Sequence, residues 1–253
     1  MRNITKERLK AGKAAIGVGL QFTSPALVEI AGYAGFHWVY IDCEHGPMSE
    51  ESVENMVRAA EISGITPVVR PSAVTPEAIL RYLDLGAQGI IVPHVETKAD
   101  AEAAVSAIKY PPQGDRGLAG VRWSKYGTAG PLSDLIKDAN DMTMVIALIE
   151  SVRGVENIEA IISVPGVDAI HIGPNDLSAS LGLPGQGNHP TVRGHMDRII
   201  AACVKAKMPV GSGANTVEEA KKLIGHGCQL VYAGGRDIFF RAGRAYIQGI
   251  GAQ

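Results

Sequence analysis

The sequence predicts an α/β protein, a single (β/α)₈ barrel spanning residues 1–253, and three observations predict it. A chain of 253 residues suits one such barrel, which typically needs about 250. Short apolar runs without polar alternation recur eight times, as expected of parallel strands covered on both faces. Amphipathic stretches separate those runs with no break in composition, which favours a closed barrel over two domains; an open doubly wound sheet is the alternative.

Taken in order, the predicted strands are 15–21, 38–43, 67–70, 89–95, 144–150, 168–172, 209–214 and 229–233. Helices are predicted between and after them at 25–34, 49–63, 76–85, 98–109, 155–164, 192–207, 217–225 and 237–248. Thr75-Pro76-Glu77 and Thr216-Val217-Glu218-Glu219 place a hydroxyl first and carboxylates in the first turn, which caps the orphan N–H groups there. Gly35, Gly64, Gly86, Gly166 and Gly227 supply left-handed helix stops. Residues 110–140 break the rhythm, being too long for an ordinary connection. Two readings stay open for them: a cover over the barrel mouth or a contact with a neighbouring subunit, and a solvated connection with one short helix.

Composition narrows the function. Lysine and arginine number 24 against 26 acidic residues, for a net charge of −2, so neither nucleic acid nor an anionic membrane is expected as a partner. No apolar run approaches the roughly 18 residues of a membrane helix, and no apolar segment follows the charged N-terminus, so the expected location is cytoplasmic. Cys43, Cys203 and Cys228 are odd in number and lack metal-ligand spacing, and they read as reduced packing residues.

Chemistry in such a barrel sits where the strands end. There the sequence carries Asp42-Cys43-Glu44-His45, Arg70, His94, Glu150, Gly173-Pro174-Asn175-Asp176, Gly211-Ser212-Gly213 and Gly234-Gly235-Arg236. Glu150 and Asp176 follow adjacent strands, and two carboxylates in a low-dielectric mouth repel unless a proton or cation lies between them. Two oxygen ligands completed by water and substrate describe a site for Mg²⁺ or Mn²⁺. The bland alternative is that they cap loops and pair with Arg153 or Arg122. Arg70 offers a fork for a carboxylate or a developing enolate oxygen, or else forms a structural salt bridge to Asp42 or Glu44. His45 lies in a loop where a titratable ring reaches the site, whereas His94 reads as structural. The glycine-rich ends of strands 7 and 8 suit a phosphate or a carboxylate. No strand end carries the lysine that a Schiff-base aldolase needs.

Several stretches in order, 34–38, 41–47, 67–70, 92–98, 110–117, 149–151 and 172–177, resemble the 4-hydroxy-2-oxo-heptanedioate aldolase (HpcH/HpaI) family. These are metal-dependent class II pyruvate aldolases related to 2-dehydro-3-deoxyglucarate aldolase, and the resemblance covers nearly the whole chain. It implies a barrel of the phosphoenolpyruvate/pyruvate-domain type and reversible retro-aldol cleavage of a 4-hydroxy-2-oxo acid to pyruvate and an aldehyde. It implies that Glu150 and Asp176 ligate a divalent metal (Mg²⁺, Mn²⁺ or Co²⁺), chelated in turn by pyruvate. By the same resemblance Gly173, Asn175 and Asp176 hold the carboxylate through their backbone, His45 acts as base by way of a water on the metal, and Arg70 stabilises the enolate. Asp84 is implied to support the histidine of a neighbouring subunit, within a hexamer built as a trimer of dimers that exchange the last helix. Two departures stand out. Family members commonly carry tryptophan near Gly19 and glutamine where Leu148 stands, so Gly19 predicts an altered or roomier mouth and Leu148 the loss of a polar partner.

Overall fold

The computed structural model describes residues 2–251; of the expected span 1–253, Met1, Ala252 and Gln253 lie outside the described residues. Eight parallel strands close into a barrel in chain order. They are β1 (Ala15–Leu20), β2 (Trp38–Asp42), β3 (Thr66–Arg70), β4 (Gly89–Val92), β5 (Met144–Ile149), β6 (Ala169–Ile172), β7 (Val210–Gly213) and β8 (Leu230–Gly234). Pairing of β1 with β8, Gly19 opposite Gly234, closes the ring.

Two apolar layers follow from strand geometry, because successive side chains point to opposite faces. One face of each strand packs outward against helices, as Val39, Ile41, Val69, Ile149 and Ile172 do. The other face fills the barrel with Trp38, Tyr40, Val68, Ile146 and Leu148. The helices open as their sequences predict: Thr75 caps Ala78 and Thr216 caps Glu219 through side-chain oxygens. Gly64 ends its helix at φ 75°, a conformation that a Cβ would strain.

Four elements differ from the sequence prediction. β4 stops at Val92 instead of 95, because Pro93 has no N–H to donate and His94 turns left-handed at φ 57°. The helix expected over 155–164 is two helices, Val152–Glu156 and Ile158–Ile162, parted at Asn157, whose side chain donates to the Glu96 carbonyl. A helix not foreseen, Ile4–Lys10, closes the lower end of the barrel. Asn3 caps it and also donates to the Gln88 and Met142 carbonyls at 3.0 and 2.8 Å, and Lys6 pairs with Asp168 at 2.8 Å. A second unforeseen helix, Pro174–Ser180, follows β6 directly and carries Asn175 and Asp176.

Residues 110–140 hold a helix at Leu132–Met142 and pack on the outer wall of the barrel. Arg116 stacks over Tyr110 and Trp123 at 4.5 and 5.3 Å, and Arg122 donates to Glu61 at 2.9 Å and to the Leu85 carbonyl. The final helix, Gly235–Gly249, lies beside β1 and β8 and leaves Phe239, Phe240 and Tyr246 exposed, Phe239 by 78%. No helix among the described residues is long and apolar enough to cross a membrane.

Candidate active site at the barrel mouth

A cavity of about 370 Å³ opens where the strands end, and His45, Arg70, Glu150, Gly173, Asn175 and Asp176 all line it. It draws no residue from 110–140, so that segment does not cover the mouth, and among the described residues no lysine lines it.

Arg70 ends β3 with its side chain turned into the barrel. Its Nε and Nη2 donate to the two oxygens of Asp42 at 2.9 and 2.7 Å, and Nη1 stands 2.8 Å from Glu44. The structural ion pair expected of Arg70 is present, and the residue also lines the cavity. Burial alone would raise the Asp42 carboxyl, but its bonds with Arg70, and lesser ones from Gln21 and the His45 N–H, hold it below the ordinary range. Asp42 fixes the His45 loop as well, accepting from the backbone N–H of Glu44 and His45 at 3.2 and 3.3 Å. The His45 ring is 54% exposed at the mouth, 4.0 Å from Glu44.

Glu150 follows β5 and is only 4% exposed. Burial raises its carboxyl pKa; the His94 N–H and ring oppose the rise, and the charges of Asp176 and Glu44 add to it. A buried carboxylate with two other acidic groups nearby attracts a cation, whose charge offsets their repulsion and part of the cost of burial. The donor set is hard oxygen, as Mg²⁺ and Mn²⁺ prefer. Among the described residues no group of three or more His, Cys, Asp or Glu side chains is arranged to hold a metal. A cation held by Glu150 and Asp176 would therefore take its other ligands from water and substrate. Gly173 is needed beside them, since a Cβ there would come within 2.9 Å of the Glu150 carboxylate.

His94, read as structural, sits on this carboxylate. Its backbone N–H donates to Glu150 Oε1 at 2.9 Å, its Nδ1 lies 3.0 Å from the same atom, and its Nε2 lies 3.4 Å from Glu44. The signal available in sequence was Pro93-His94 directly after a strand. Asp84 is not in the cavity lining. It is half-buried on the helix Pro76–Asp84, held at 3.1 Å by the buried Arg116, with burial raising its pKa against that partner.

The glycines at the ends of β7 and β8 serve close packing. A Cβ at Gly211 would strike the Leu230 carbonyl, and one at Gly234 would lie 2.5 Å from the Asp237 carboxylate, a poor neighbour for phosphate. Gly19 does not make the mouth roomier. A Cβ there would stand 2.8 Å from the Tyr232 ring, which fills the space, and Leu148 adds an apolar side chain to the barrel interior. Sequence reasoning missed Tyr40, His171 and Tyr232, which lie beneath the rim residues and line the cavity.

An eight-stranded parallel barrel with acidic, guanidinium and imidazole groups gathered at its mouth defines a barrel enzyme. This chain belongs to the HpcH/HpaI aldolase/citrate lyase family, whose description matches residues 16–238. It is 40% identical over 211 residues, 83% of this chain and 82% of the relative, to a 2-dehydro-3,6-dideoxy-6-sulfogluconate aldolase of Pseudomonas putida. It is 34% identical over 238 residues, 92% of this chain and 87% of the relative, to a 2-keto-3-deoxy-L-rhamnonate aldolase of Salmonella schwarzengrund (strain CVM19633). A crystal structure of a family protein from Burkholderia cenocepacia J2315 superposes with a TM-score of 0.92 at 35% identity, covering 98% of this chain and 99% of that one. Both named relatives are aldolases, and the chain is of the aldolase type.

Proposed function

We propose that this protein cleaves a 4-hydroxy-2-oxo acid reversibly into pyruvate and an aldehyde, using a divalent cation (Mg²⁺, Mn²⁺ or Co²⁺) held by Glu150 and Asp176. One observation carries the reading: Glu150 is a buried carboxylate beside Asp176, in a cavity that no lysine lines among the described residues. When bound, the cation supplies Lewis-acid polarisation of the 2-keto group. The chain's own residues do the remaining work. Arg70, clamped by Asp42 and Glu44, presents a fixed positive charge that favours negative charge growing on substrate oxygen as the C3–C4 bond breaks. His45, exposed at the mouth, takes the proton from the C4 hydroxyl. Gly173, Asn175 and Asp176 hold the substrate carboxylate through their backbone.

Asp84, turned away from its own cavity, acts on the histidine of a neighbouring copy in this reading. The exposed Phe239, Phe240 and Tyr246 of the last helix support association into a homo-oligomer, a hexamer in our reading, because such apolar surface is seldom left to water. The three free, buried cysteines fit a reducing, cytoplasmic setting.

The test is pyruvate release from 4-hydroxy-2-oxo acids, followed by a coupled assay with and without chelator. Turnover should vanish with chelator and return with Mg²⁺ or Mn²⁺. Chelator-insensitive turnover, or borohydride trapping of substrate on a lysine, would overturn the proposal.

A further inference from the structure

Beneath the rim, the floor of the cavity is aromatic but not apolar. Tyr40 on β2, His171 on β6 and Tyr232 on β8 meet there, with ring centroids 5.1 Å apart for the tyrosines and 6.1 and 5.4 Å from each tyrosine to the histidine. The Tyr232 ring is seated on two glycines. A Cβ at Gly19 would lie 2.8 Å from its edge, and one at Gly213 would lie 3.2 Å from its Cζ and hydroxyl. The backbone thus makes room on two strands for one phenol, where a smaller apolar residue would have packed without that provision.

These groups have little to bond to within the chain. His171 is 3% exposed, and its Nδ1 is buried with no hydrogen-bond partner. Among the described residues, neither the Tyr40 nor the Tyr232 hydroxyl makes a hydrogen bond to another protein group. An unpaired buried polar atom is costly, so His171 Nδ1 calls for a partner from outside the chain, and the two tyrosines that line the cavity beside it hold hydroxyls with no protein partner among the described residues. The floor is also uncharged. Burial and the charge of Arg70 hold His171 down to about 3, and burial keeps both phenols protonated. A neutral set of donors and acceptors suits a hydroxyl group, which both donates and accepts.

We propose that Tyr232, with Tyr40 and His171, forms a subsite for a hydroxyl on the carbon next to the keto group, so that the site binds hydroxylated 2-oxo acids more tightly than pyruvate. The inference rests on the chelated keto acid of the proposed function. When a three-carbon 2-oxo acid is held at the mouth through its carboxylate and keto oxygens, only C3 is left to meet the floor. A bare methyl there leaves the phenols and the imidazole unsatisfied, whereas a hydroxyl both donates and accepts. The two named relatives act on 3-deoxy acids, which lack that hydroxyl, so this chain diverges from them in substrate.

The experiment is calorimetric titration of the Mg²⁺-loaded protein with hydroxypyruvate and with pyruvate, for the wild type and for Tyr232→Phe, with His171→Phe as a second variant. Wild type should bind hydroxypyruvate at least ~fivefold more tightly. Tyr232→Phe keeps the ring and its packing; it should bring the two acids near parity while leaving pyruvate affinity within about twofold. His171→Phe should likewise reduce the preference. Binding of pyruvate with no hydroxyl preference, or a preference that survives both variants, overturns this inference and leaves the aldolase reading standing. Binding of neither acid overturns both.

Discussion

Glu150 Oε1 accepts a hydrogen bond from the backbone N–H of His94 at 2.9 Å and lies 3.0 Å from the same residue's Nδ1. His94 reaches that position only by adopting φ 57°, a left-handed turn that costs a non-glycine residue about 1 kcal/mol or more. The chain thus invests backbone strain in the orientation of one carboxylate.

The raised pKa of Glu150 has a pH consequence. A protonated carboxyl is no ligand, so protons compete with the cation, and affinity should fall by up to ~tenfold per pH unit below the elevated Glu150 value. Above that value affinity should level off. Titration of Mn²⁺ between pH 5 and 8 tests this; an affinity flat across the range, or rising as pH falls, contradicts it.

Arg70→Lys keeps a charge but loses the fork that binds both oxygens of Asp42 while also reaching Glu44. Turnover should drop ~100-fold, the scale seen when one donor to a developing charge is removed. The loss of paired donors should cost about 1–3 kcal/mol in stability. Steady-state kinetics beside urea unfolding separates the two effects. An effect on stability without one on kcat would assign Arg70 a purely structural role.

Gly19→Ala should destabilise the protein by about 1–3 kcal/mol, because its Cβ would collide with the Tyr232 ring at 2.8 Å. In a Tyr232→Ala background the same change should cost less than about 0.5 kcal/mol, since the ring is gone. Urea unfolding of the four proteins in this cycle gives the coupling. Additive losses would mean that the ring does not depend on the missing side chain.

Much of the barrel was legible because most strands are apolar runs closed by a glycine, proline or charged residue. Arg70, Glu150 and Asp176 were legible because a charge directly after a buried strand has one rim to occupy. The helix Ile4–Lys10 was not, since its short sequence holds too few apolar positions to show a period; bonds from Asn3 and Lys6 to distant residues secure it. Tyr40, His171 and Tyr232 were hidden for another reason. In a strand buried on both faces, nothing local says which residues face the barrel interior. That Tyr232 fills the space above Gly19, 213 positions away in the chain, is a relation only the closed sheet creates.

The central claim is that Glu150 and Asp176 together hold the cation. The most direct measurement is Mn²⁺ binding by calorimetry to wild type, Glu150→Gln and Asp176→Asn, with thermal unfolding of each metal-free protein alongside. The folded-state pKa of Glu150 lies above its ordinary 4.5, so its stabilising contribution is full below 4.5 and is lost as pH rises through the elevated value. At neutral pH, metal-free Glu150→Gln should therefore unfold no earlier than wild type. The account predicts about one Mn²⁺ per chain for wild type and at least ~100-fold weaker binding in either variant. Two folded variants that bind Mn²⁺ as wild type does would contradict it.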